Sequence, residues 1–398
     1  MKVLHLLWNG AIGGAERAVY QLAREQLRQP ALQPGLAFAL AGGLYWEEAR
    51  RLGCPVLTFN LRADTQVWSL PRVARMMVGF DVHHFHSPDV TLMAASLLVP
   101  DVRRVYTHRA GRFHYTGRRA LRYRLVGQML KRGFHAVSGN TAHAARVAEE
   151  LFHLPTGSIH TTYNGLEFDL LRPTQDRAVV RQQCQADADT VLIGTTANLR
   201  NFKRVDWLIQ AATLMERANW RLIIIGDGPD RRRLEAQAAA TTVADRIHFV
   251  GRQAQVANWV ASLDIFVLPS TEAESFGNAV VEAMALGVPS LIMADSGGML
   301  EHIQPGETGL VASNPADLAQ RLTYLSDHPE ERARLGAAGR EAVRRKYTLD
   351  AMMQQYLQLY RAAGAPLASQ QQPADASLLP PAPYAPSSLA GLDRGQRR

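Results

Sequence analysis

Short apolar runs of strand length alternate along the chain with longer segments of helical character. The first run, Val3–Trp8, leads into a Gly-rich turn and then a helix that continues to about Leu27. Continuous apolar runs are typical of strands buried in a parallel sheet, and alternation with helices covers both faces of that sheet. The other predicted strands are Gly35–Ala41, Pro55–Asn60, Asp81–His86, Arg103–His108, His135–Ser138, Ser158–Tyr163, Val191–Ala197, Trp220–Ile225, Arg246–Arg252, Asp264–Ser270 and Ser290–Ala294.

A polar, irregular stretch from Phe168 to Asp189 separates the strands into two groups. A chain of 398 residues is long enough to bury two separate cores. The sequence therefore predicts an α/β fold with two domains. The tail after Gly364 has few large apolar residues and is predicted to be disordered. The predicted divisions are 1–167 and 168–346 for the two domains, 347–363 for a final amphipathic helix and 364–398 for the tail.

One strand–loop–helix–strand unit stands out in the second half of the chain. An acidic loop that carries Glu274 leads into a helix, Asn278–Leu286, made of good helix formers. Such a loop lies at the carboxyl end of a strand and the amino end of a helix, where α/β proteins hold ligands. Backbone N–H groups around Phe276 and Gly277 are expected to face an anion there.

A second glutamate, Glu282, lies inside that helix among Ala, Val and Met residues. These neighbours predict that Glu282 is largely buried, and a buried carboxylate needs a partner. The sequence leaves two partners open. One is an arginine of the same fold, and the other is the hydroxyl groups of a sugar or ribose.

Two further turns follow predicted strands and carry residues suited to phosphate. Gly13 and Gly14 allow the backbone to approach a ligand closely, although the dinucleotide-binding fingerprint is incomplete because its third glycine is missing. Arg200 and Lys203 lie at a strand-to-helix turn, where their charges would add to the helix amino terminus and suit a pyrophosphate. The alternative for both cations is an ordinary exposed surface.

The net charge of +8 is unevenly distributed. The segment from Val102 to Ala148 contains no acidic residue and predicts either a solvated basic face or contact with an anionic partner, such as a membrane surface, a phosphorylated acceptor or nucleic acid. No nucleic-acid motif accompanies it, and aromatic residues are not regularly interleaved. Its basic residues are Arg103, Arg104, Arg109, Arg112, Arg118, Arg119, Arg122, Arg124, Lys131, Arg132 and Arg146.

The cysteines and the apolar runs indicate the cellular compartment. Cys54 and Cys184 are far apart and have no metal-like spacing, which suits a reducing cytoplasm. No apolar run approaches the length of a membrane span, and the apolar stretch at the amino terminus is too short for a signal peptide. A cytoplasmic protein is therefore expected.

The unit around Glu274 and Glu282 resembles the E-x7-E signature of retaining glycosyltransferases of the GT-B fold, most closely glycosyltransferase family 4. The N-L-R-x-x-K turn, Asn198–Lys203, and the Gly226–Pro229 segment are similar to that family as well. The resemblance extends over roughly residues 1 to 363 and is looser in the first half. It implies two Rossmann-like domains that face each other across a deep cleft, the first for an acceptor and the second for a nucleotide-sugar donor.

The resemblance implies roles for individual residues. Glu274 would hold hydroxyl groups of the donor sugar, Glu282 would hold the ribose, and Arg200 and Lys203 would hold the diphosphate. His108, at the end of its strand, would line the sugar site, although the chain has thirteen histidines and a purely structural role is the alternative. The other residues expected at the donor site are Gly13, Gly14, Gly226, Gly228, Arg252, Phe276, Gly277 and Asn278.

One more glutamate, Glu301, follows two glycines in a segment that resembles a G-G-x-x-E loop of the same family. A helix-capping role is the alternative for its carboxylate. The Asp187-Ala188-Asp189 segment matches the D-x-D pattern of metal-dependent glycosyltransferases, but it follows a Gln-rich helical stretch instead of a strand. We interpret that match as chance, and the resemblance implies neither a metal nor another cofactor.

The expected reaction is transfer of a sugar from a nucleoside diphosphate to an acceptor hydroxyl, with retention at the anomeric carbon. The basic segment favours an anionic or lipid-linked saccharide acceptor, as in lipopolysaccharide or other cell-envelope glycolipid synthesis. Peripheral contact with the inner face of the cytoplasmic membrane is a further expectation, and nucleic acid is not an expected partner.

Two alternatives stay open at the level of the sequence. A sugar-nucleotide epimerase or a phosphorylase would share the fold, but an epimerase needs no acceptor and a phosphorylase uses inorganic phosphate. A non-catalytic protein that binds sugar nucleotides or a membrane surface would also share it, because a fold does not fix a function. Release of nucleotide from a donor separates a transferase from such a binding protein.

Overall fold

The computed structural model describes residues 1–63, 65–216 and 219–366. The first half of the chain alternates strands and helices, as the apolar runs predict. Its elements are β1 (Lys2–Leu7), α1 (Gly14–Leu27), β2 (Gln33–Phe38), α2 (Leu44–Arg51), β3 (Val56–Thr58), α3 (Leu70–Met77), β4 (Val82–Phe85), α4 (Val90–Leu97), β5 (Arg103–His108), α5 (Gly117–Gly133), β6 (Ala136–Gly139), α6 (Ala142–Phe152) and β7 (His160–Thr161).

The second half repeats the alternation and ends in three helices. Asn314 caps the first of these three, because its side chain accepts a hydrogen bond from the Asp317 amide. The elements are α7 (Arg177–Gln183), β8 (Val191–Thr196), α8 (Val205–Thr213), β9 (Trp220–Ile225), α9 (Arg231–Ala239), β10 (Ile247–Gly251), α10 (Val256–Ser262), β11 (Ile265–Leu268), α11 (Asn278–Ala285), β12 (Ser290–Met293), β13 (Leu310–Ala312), α12 (Pro315–Asp327), α13 (Pro329–Lys346) and α14 (Leu349–Ala362).

The strands form two parallel sheets. The first has the order β3-β2-β1-β4-β5-β6-β7, and the second has the order β10-β9-β8-β11-β12-β13. In each sheet the chain starts in the middle, builds one half and then crosses over to build the other. This reversal places a switch point between β1 and β4 and another between β8 and β11. In open α/β sheets, ligands bind at such points, beside the carboxyl ends of the strands.

The sheets are buried because their strands are apolar on both faces. Ile223 and Ile224 of β9 are both inaccessible to solvent, and so are Phe266 and Val267 of β11. Side chains that alternate in direction along a strand can all be buried only when helices cover both faces of the sheet. The α/β architecture predicted from the sequence is therefore confirmed.

The last helix, α14, packs on the first sheet although it follows the second in the chain. Met352, Tyr356 and Tyr360 of α14 lie in one apolar cluster with Val3 of β1 and Val82 of β4. A parallel bridge between Leu166 and Thr348 lies where the chain crosses back. Helix α14 thus ties the two sheets together.

Most of the predicted strand positions agree with the structure, with ends shifted by a few residues. β13 was not predicted, because three apolar residues between turns are too few to distinguish from a loop. No helix in the described ranges is long and apolar enough to cross a membrane. The predicted disordered tail lies outside the described residues from position 367 onward.

Candidate active site

Three turns meet at the carboxyl edge of the second sheet. The turn after β8 contacts the turn after β9 through a hydrogen bond from the Leu199 amide to the Asp227 carbonyl (3.0 Å). It contacts the loop after β11 through a hydrogen bond from the Thr271 amide to the Phe202 carbonyl (2.9 Å). The Arg200–Lys203 turn therefore lies between the Gly-rich turn and the Glu274 loop, although these segments are far apart in sequence.

Lys203 and Glu274 form a direct ion pair at this edge. The Lys203 ammonium contacts Glu274 Oε2, and the two side chains are only 14% and 17% exposed. Arg200, three residues before Lys203, is exposed to solvent. One turn thus carries a cation held by the loop carboxylate and a second cation that faces solvent.

The Gly226–Gly228 turn requires glycine because other backbone approaches it closely. Gly226 has a φ of +127°, and an added Cβ would lie 2.0 Å from the Ala197 carbonyl oxygen. A Cβ on Gly228 would lie 2.5 Å from the Leu199 amide nitrogen. Arg252 is exposed just after β10, at the same sheet edge. The predicted donor residues of three neighbouring strands therefore share one surface.

The amino end of α11 closes this surface towards the first domain. Gly277 precedes the helix with a φ of +68°, a conformation that favours glycine. Its amide and that of Phe276 have no hydrogen-bond acceptor within the described part of the chain. Asn278, the first helical residue, faces Gly14 across the cleft, where an added Cβ would lie 2.8 Å from Asn278 Nδ2. The Gly14 segment of the first domain thus lies beside the first residue of α11, directly after the two unpaired amides.

Glu282 has an arginine partner, which was one of the two alternatives left by the sequence. Arg17 of α1 donates from Nη1 to Glu282 Oε1 at 2.6 Å, and the glutamate side chain is 13% exposed. The glutamate raises the pKa of Arg17. Oε2 of Glu282 has no hydrogen-bond partner among the described residues. The ion pair joins the two domains and leaves one carboxylate oxygen for a ligand hydroxyl.

His108 is buried at the end of β5. Its Nδ1 lies 3.0 Å from the Tyr106 hydroxyl, and its ring packs edge-on against Phe152. Nε2 is buried without a hydrogen-bond partner among the described residues. Burial lowers the pKa of His108 to about 4, so the ring is neutral at physiological pH. These contacts lie within the first domain, and they do not bring His108 directly against Glu274.

The segment after His108 does reach the Glu274 loop. The Gly111 amide donates to the Ala273 carbonyl (3.2 Å), and the Arg112 amide donates to the Glu272 carbonyl (2.8 Å). A Cβ on Gly111 would lie 2.1 Å from the Glu272 carbonyl oxygen. The Arg112 guanidinium also pairs with the Glu272 carboxylate at 3.1 Å. The first domain therefore contacts the Glu274 loop just before Glu274, at Glu272 and Ala273.

A separate cluster of buried histidines lies in the first domain. The ring nitrogens of His5, His84 and His86 approach one another closely enough to hold a metal ion. Each of these rings is hydrogen-bonded to protein, and His86 Nδ1 accepts from the Arg109 guanidinium at 3.2 Å. Burial lowers the pKa of all three. A guanidinium in contact opposes a bound cation, so this cluster fits a structural polar network.

The D-x-D match has a structural explanation. Asp187 Oδ1 accepts hydrogen bonds from the amides of Asp189 (3.1 Å) and Thr190 (2.8 Å). These bonds form a turn immediately before β8, at the amino edge of the second sheet. The residues predicted to bind the donor lie at the opposite, carboxyl edge. The Asp187 carboxylate is thus used in a local turn, and that the segment has no role with a metal stays a prediction.

Sequence reasoning missed the residues that join the two domains. Arg17 follows Gly13, Gly14 and Glu16 in the chain, and a charged pair directly after a Gly-rich turn was a usable signal. Asn140 accepts a hydrogen bond from the Ser275 hydroxyl, and no local pattern marks either residue. Their importance appears only when the two domains are placed together.

Known proteins with similar sequences match part of the chain. It is 30% identical over 209 residues to N-acetyl-alpha-D-glucosaminyl L-malate synthase of Bacillus anthracis, covering 52% of this chain and 54% of that protein. It is 30% identical over 191 residues to the lipopolysaccharide core biosynthesis mannosyltransferase LpsB of Rhizobium meliloti, covering 46% and 54%. The matches thus span about half the length of these relatives.

The fold has a close counterpart among solved structures. Anabaena HepE in complex with UDP and glucose superposes with a TM-score of 0.79 at 20% identity, over 91% of this chain and all of that one. The family model for Glycosyltransferase Family 4 matches residues 12–170, and the model for Glycosyl transferases group 1 matches residues 176–342. With the GT-B architecture and the Glu274–Glu282 unit in place, the chain belongs to glycosyltransferase family 4.

Proposed function

We propose that the protein is a retaining glycosyltransferase that moves a sugar from a nucleoside-diphosphate sugar to an acceptor hydroxyl. The observation that carries this proposal is the Lys203–Glu274 ion pair beside the amides of Phe276 and Gly277, which have no acceptor among the described residues. A nucleotide sugar presents an anionic diphosphate next to a neutral, hydroxyl-rich ring. Lys203 suits the anionic diphosphate and Glu274 suits the sugar hydroxyls, and the two side chains are in direct contact, as the two parts of one donor are.

The leaving diphosphate develops negative charge as its bond to the sugar breaks. Arg200, Lys203 and the amides before α11 would supply positive charge and N–H dipoles to this leaving group. These groups can stabilise the leaving group without a metal ion, so metal independence is part of the proposal. Glu274 would accept hydrogen bonds from sugar hydroxyls, Oε2 of Glu282 would accept from the ribose, and Nε2 of His108 would face the sugar.

Retention follows if the acceptor attacks from the side that the diphosphate leaves. The bond from the anomeric carbon to the diphosphate oxygen breaks, and a bond from the acceptor oxygen to that carbon forms on the same face. The acceptor proton passes to the departing diphosphate oxygen. The products are a glycoside and a nucleoside diphosphate, and no group of the protein is consumed. Contact between the domains would exclude water and protect the donor from hydrolysis.

The acceptor is proposed to be an anionic or lipid-linked saccharide of the cell envelope. The basic segment supports this only in part, because several of its cations serve the fold. Arg104 donates to the Ser96 and Val99 carbonyls, and Arg112 pairs with Glu150 and Glu272. The remaining exposed cations are Arg103, Arg118, Arg119, Arg124, Lys131, Arg132 and Arg146.

Helix α5 carries the features of a helix that lies on a membrane surface. Leu121 and Leu125, one turn apart, are 68% and 50% exposed, and Arg118, Arg119 and Arg124 are exposed around them. Apolar side chains flanked by arginines insert into the headgroup region while the cations contact anionic lipids. We therefore propose peripheral contact with the inner face of the cytoplasmic membrane.

Vesicle sedimentation tests the membrane proposal. Wild type is expected to sediment with phosphatidylglycerol-containing vesicles and not with pure phosphatidylcholine vesicles, and L121S/L125S is expected to lose about 90% of that binding. Leu214, equally half-exposed in the second domain, provides the control L214S, which is expected to bind like wild type. Equal sedimentation with neutral vesicles, or none with either, would remove the membrane from the proposal.

The function itself is tested by nucleotide release. UDP-, GDP-, ADP- and dTDP-sugars are incubated with the protein in EDTA, with and without inorganic phosphate. Slow release from one donor without phosphate supports a metal-independent transferase. Release only with phosphate would favour a phosphorylase, and interconversion of donor sugars without release would favour an epimerase. Binding without any turnover, even with added glycolipid acceptors, would favour a non-catalytic binding protein.

A further inference from the structure

The carboxylate of Glu301, in the second domain, is bound by groups of the first domain. Glu301 ends a short 3-10 turn, Gly297–Glu301, that follows β12. Its Oε1 accepts from the His143 amide at 2.7 Å, and its Oε2 accepts from the Ala142 amide at 3.0 Å and the Tyr163 hydroxyl at 2.8 Å. One acidic side chain thus satisfies three donors across the domain boundary.

The two amides belong to the first turn of α6. The first N–H groups of a helix have no acceptor inside the helix, and the helix dipole makes that end positive. Thr141, the local cap, accepts from the Ala144 amide at 3.0 Å, which leaves the amides of Ala142 and His143 for another partner. Glu301 takes both. The cap of α6 is therefore shared between a residue of its own domain and a charged residue of the other.

The same end of α6 holds the loop that carries Glu274. The His143 side chain bonds the Glu272 carbonyl (3.1 Å), and the Ser275 hydroxyl donates to Asn140. These contacts lie on both sides of Glu274 in the chain. The approach is tight, because a Cβ on Gly298 would lie 1.9 Å from the Ser275 carbonyl oxygen and 2.7 Å from Thr141 Oγ1.

We propose that Glu301 is a positioning residue for glycosyl transfer. It fastens the amino end of α6 to the second domain, and α6 in turn holds the Glu272–Ser275 loop so that Glu274 meets the donor sugar. The inference rests on the proposed transferase function. Glu301 itself touches no reacting atom in this account, so its loss is expected to lower kcat while donor affinity is kept.

A proline at position 142 tests the contact from the side of the helix. Ala142 is the first residue of α6, where proline is well tolerated, and Thr141 has the extended conformation (φ −151°, ψ 163°) that a residue before proline requires. A142P removes the N–H that Glu301 accepts while preserving the helix. A142S changes the side chain, keeps the N–H and serves as the matched control.

The variants A142P, E301Q, A142P/E301Q and A142S are compared with wild type. We expect A142P and E301Q each to lower kcat about tenfold or more, with the Kd of the nucleotide changed less than about twofold. Because both substitutions act on one contact, the kcat of the double variant is expected to lie no more than about twofold below that of E301Q. A142S is expected to keep wild-type kcat.

Wild-type kcat in both A142P and E301Q, or losses that multiply fully in the double variant, would overturn the inference. A rise in nucleotide Kd that matches the fall in kcat/KM would also overturn it, because Glu301 would then act on donor binding. Thermal unfolding of the same variants needs no substrate. The Tm decrease of A142P/E301Q is expected to be smaller than the sum of the decreases of A142P and E301Q. If wild type transfers no sugar, the proposed function fails, while the Tm cycle still decides whether the contact exists.

Discussion

The ion pair between Arg17 and Glu282 is expected to support nucleotide binding from the opposite domain. Arg17 contacts only Oε1 of Glu282, and in the proposed function Oε2 would accept from a ribose hydroxyl. The contact fixes the orientation of the carboxylate and holds α1 against α11. R17M removes the charge and keeps much of the side-chain volume, so it tests whether this orientation matters.

The size of the effect follows from the geometry. Two unit charges about 4 Å apart attract by about 4 kcal/mol at an effective dielectric constant of about 20. Arg17 is 31% exposed, and screening and desolvation reduce the net contribution to about 1–2 kcal/mol. The pair forms without nucleotide, so only the part of this energy that orients Glu282 for the ribose enters the Kd. Since about 1.4 kcal/mol corresponds to a factor of ten in Kd, R17M is expected to weaken nucleotide binding, by about thirtyfold at most.

Isothermal titration calorimetry measures this change, with whichever of UDP, GDP, ADP and dTDP binds wild type most tightly. E282Q and the double variant R17M/E282Q complete the cycle, and the double variant is expected to bind about as weakly as E282Q alone. Tighter binding by R17M would refute the reasoning, because Arg17 would then compete with the ribose for Glu282. An unchanged Kd would show that the pair has no influence on the donor site.

Two further perturbations test the domain contact and the buried histidines. G111A is expected to lower transfer at least about tenfold and to lower the Tm, because its Cβ would lie 2.1 Å from the Glu272 carbonyl oxygen and the backbone on one side must move; wild-type kinetics would contradict this. Burial lowers the pKa of His83 and His108 to about 4 and of His302 to about 3, so their stabilising effect is complete above pH 6.5 and lost as the pH falls towards 4. Urea unfolding should show lower stability at pH 5.5 than at pH 7, with about 1.2 kcal/mol lost for each of these rings, and the buried rings of His5, His84 and His86 add to the loss in the same direction; equal stability at both values would refute it.

The strands and the turns that follow β8, β9 and β11 could be predicted because their signals are local. An apolar run such as Val191–Ala197 carries its own evidence for a strand, and parallel strands bring their carboxyl ends to one edge. Lys203 and Glu274 could therefore be assigned to the same surface from separate turns. Their direct contact could not be predicted, because it depends on side-chain rotamers in the folded protein.

The contacts between the domains could not be predicted, because they depend on how two separate cores meet. Arg17 and Glu282 are 265 positions apart in sequence, and each lies in a helix that has other plausible partners. Glu301 had a capping role as one alternative, and the structure shows that it does cap a helix. That helix, α6, lies in the other domain, which no local pattern around Glu301 indicates.

The most direct test of the account separates transfer from binding at Glu274. E274Q keeps the size of the side chain and removes the charge that pairs with Lys203 and that is proposed to face the sugar. The account predicts that E274Q binds the nucleotide with a Kd within about threefold of wild type and transfers sugar at least about 100-fold more slowly. Turnover by E274Q at the wild-type rate would contradict the assignment of Glu274, and with it the proposed active site.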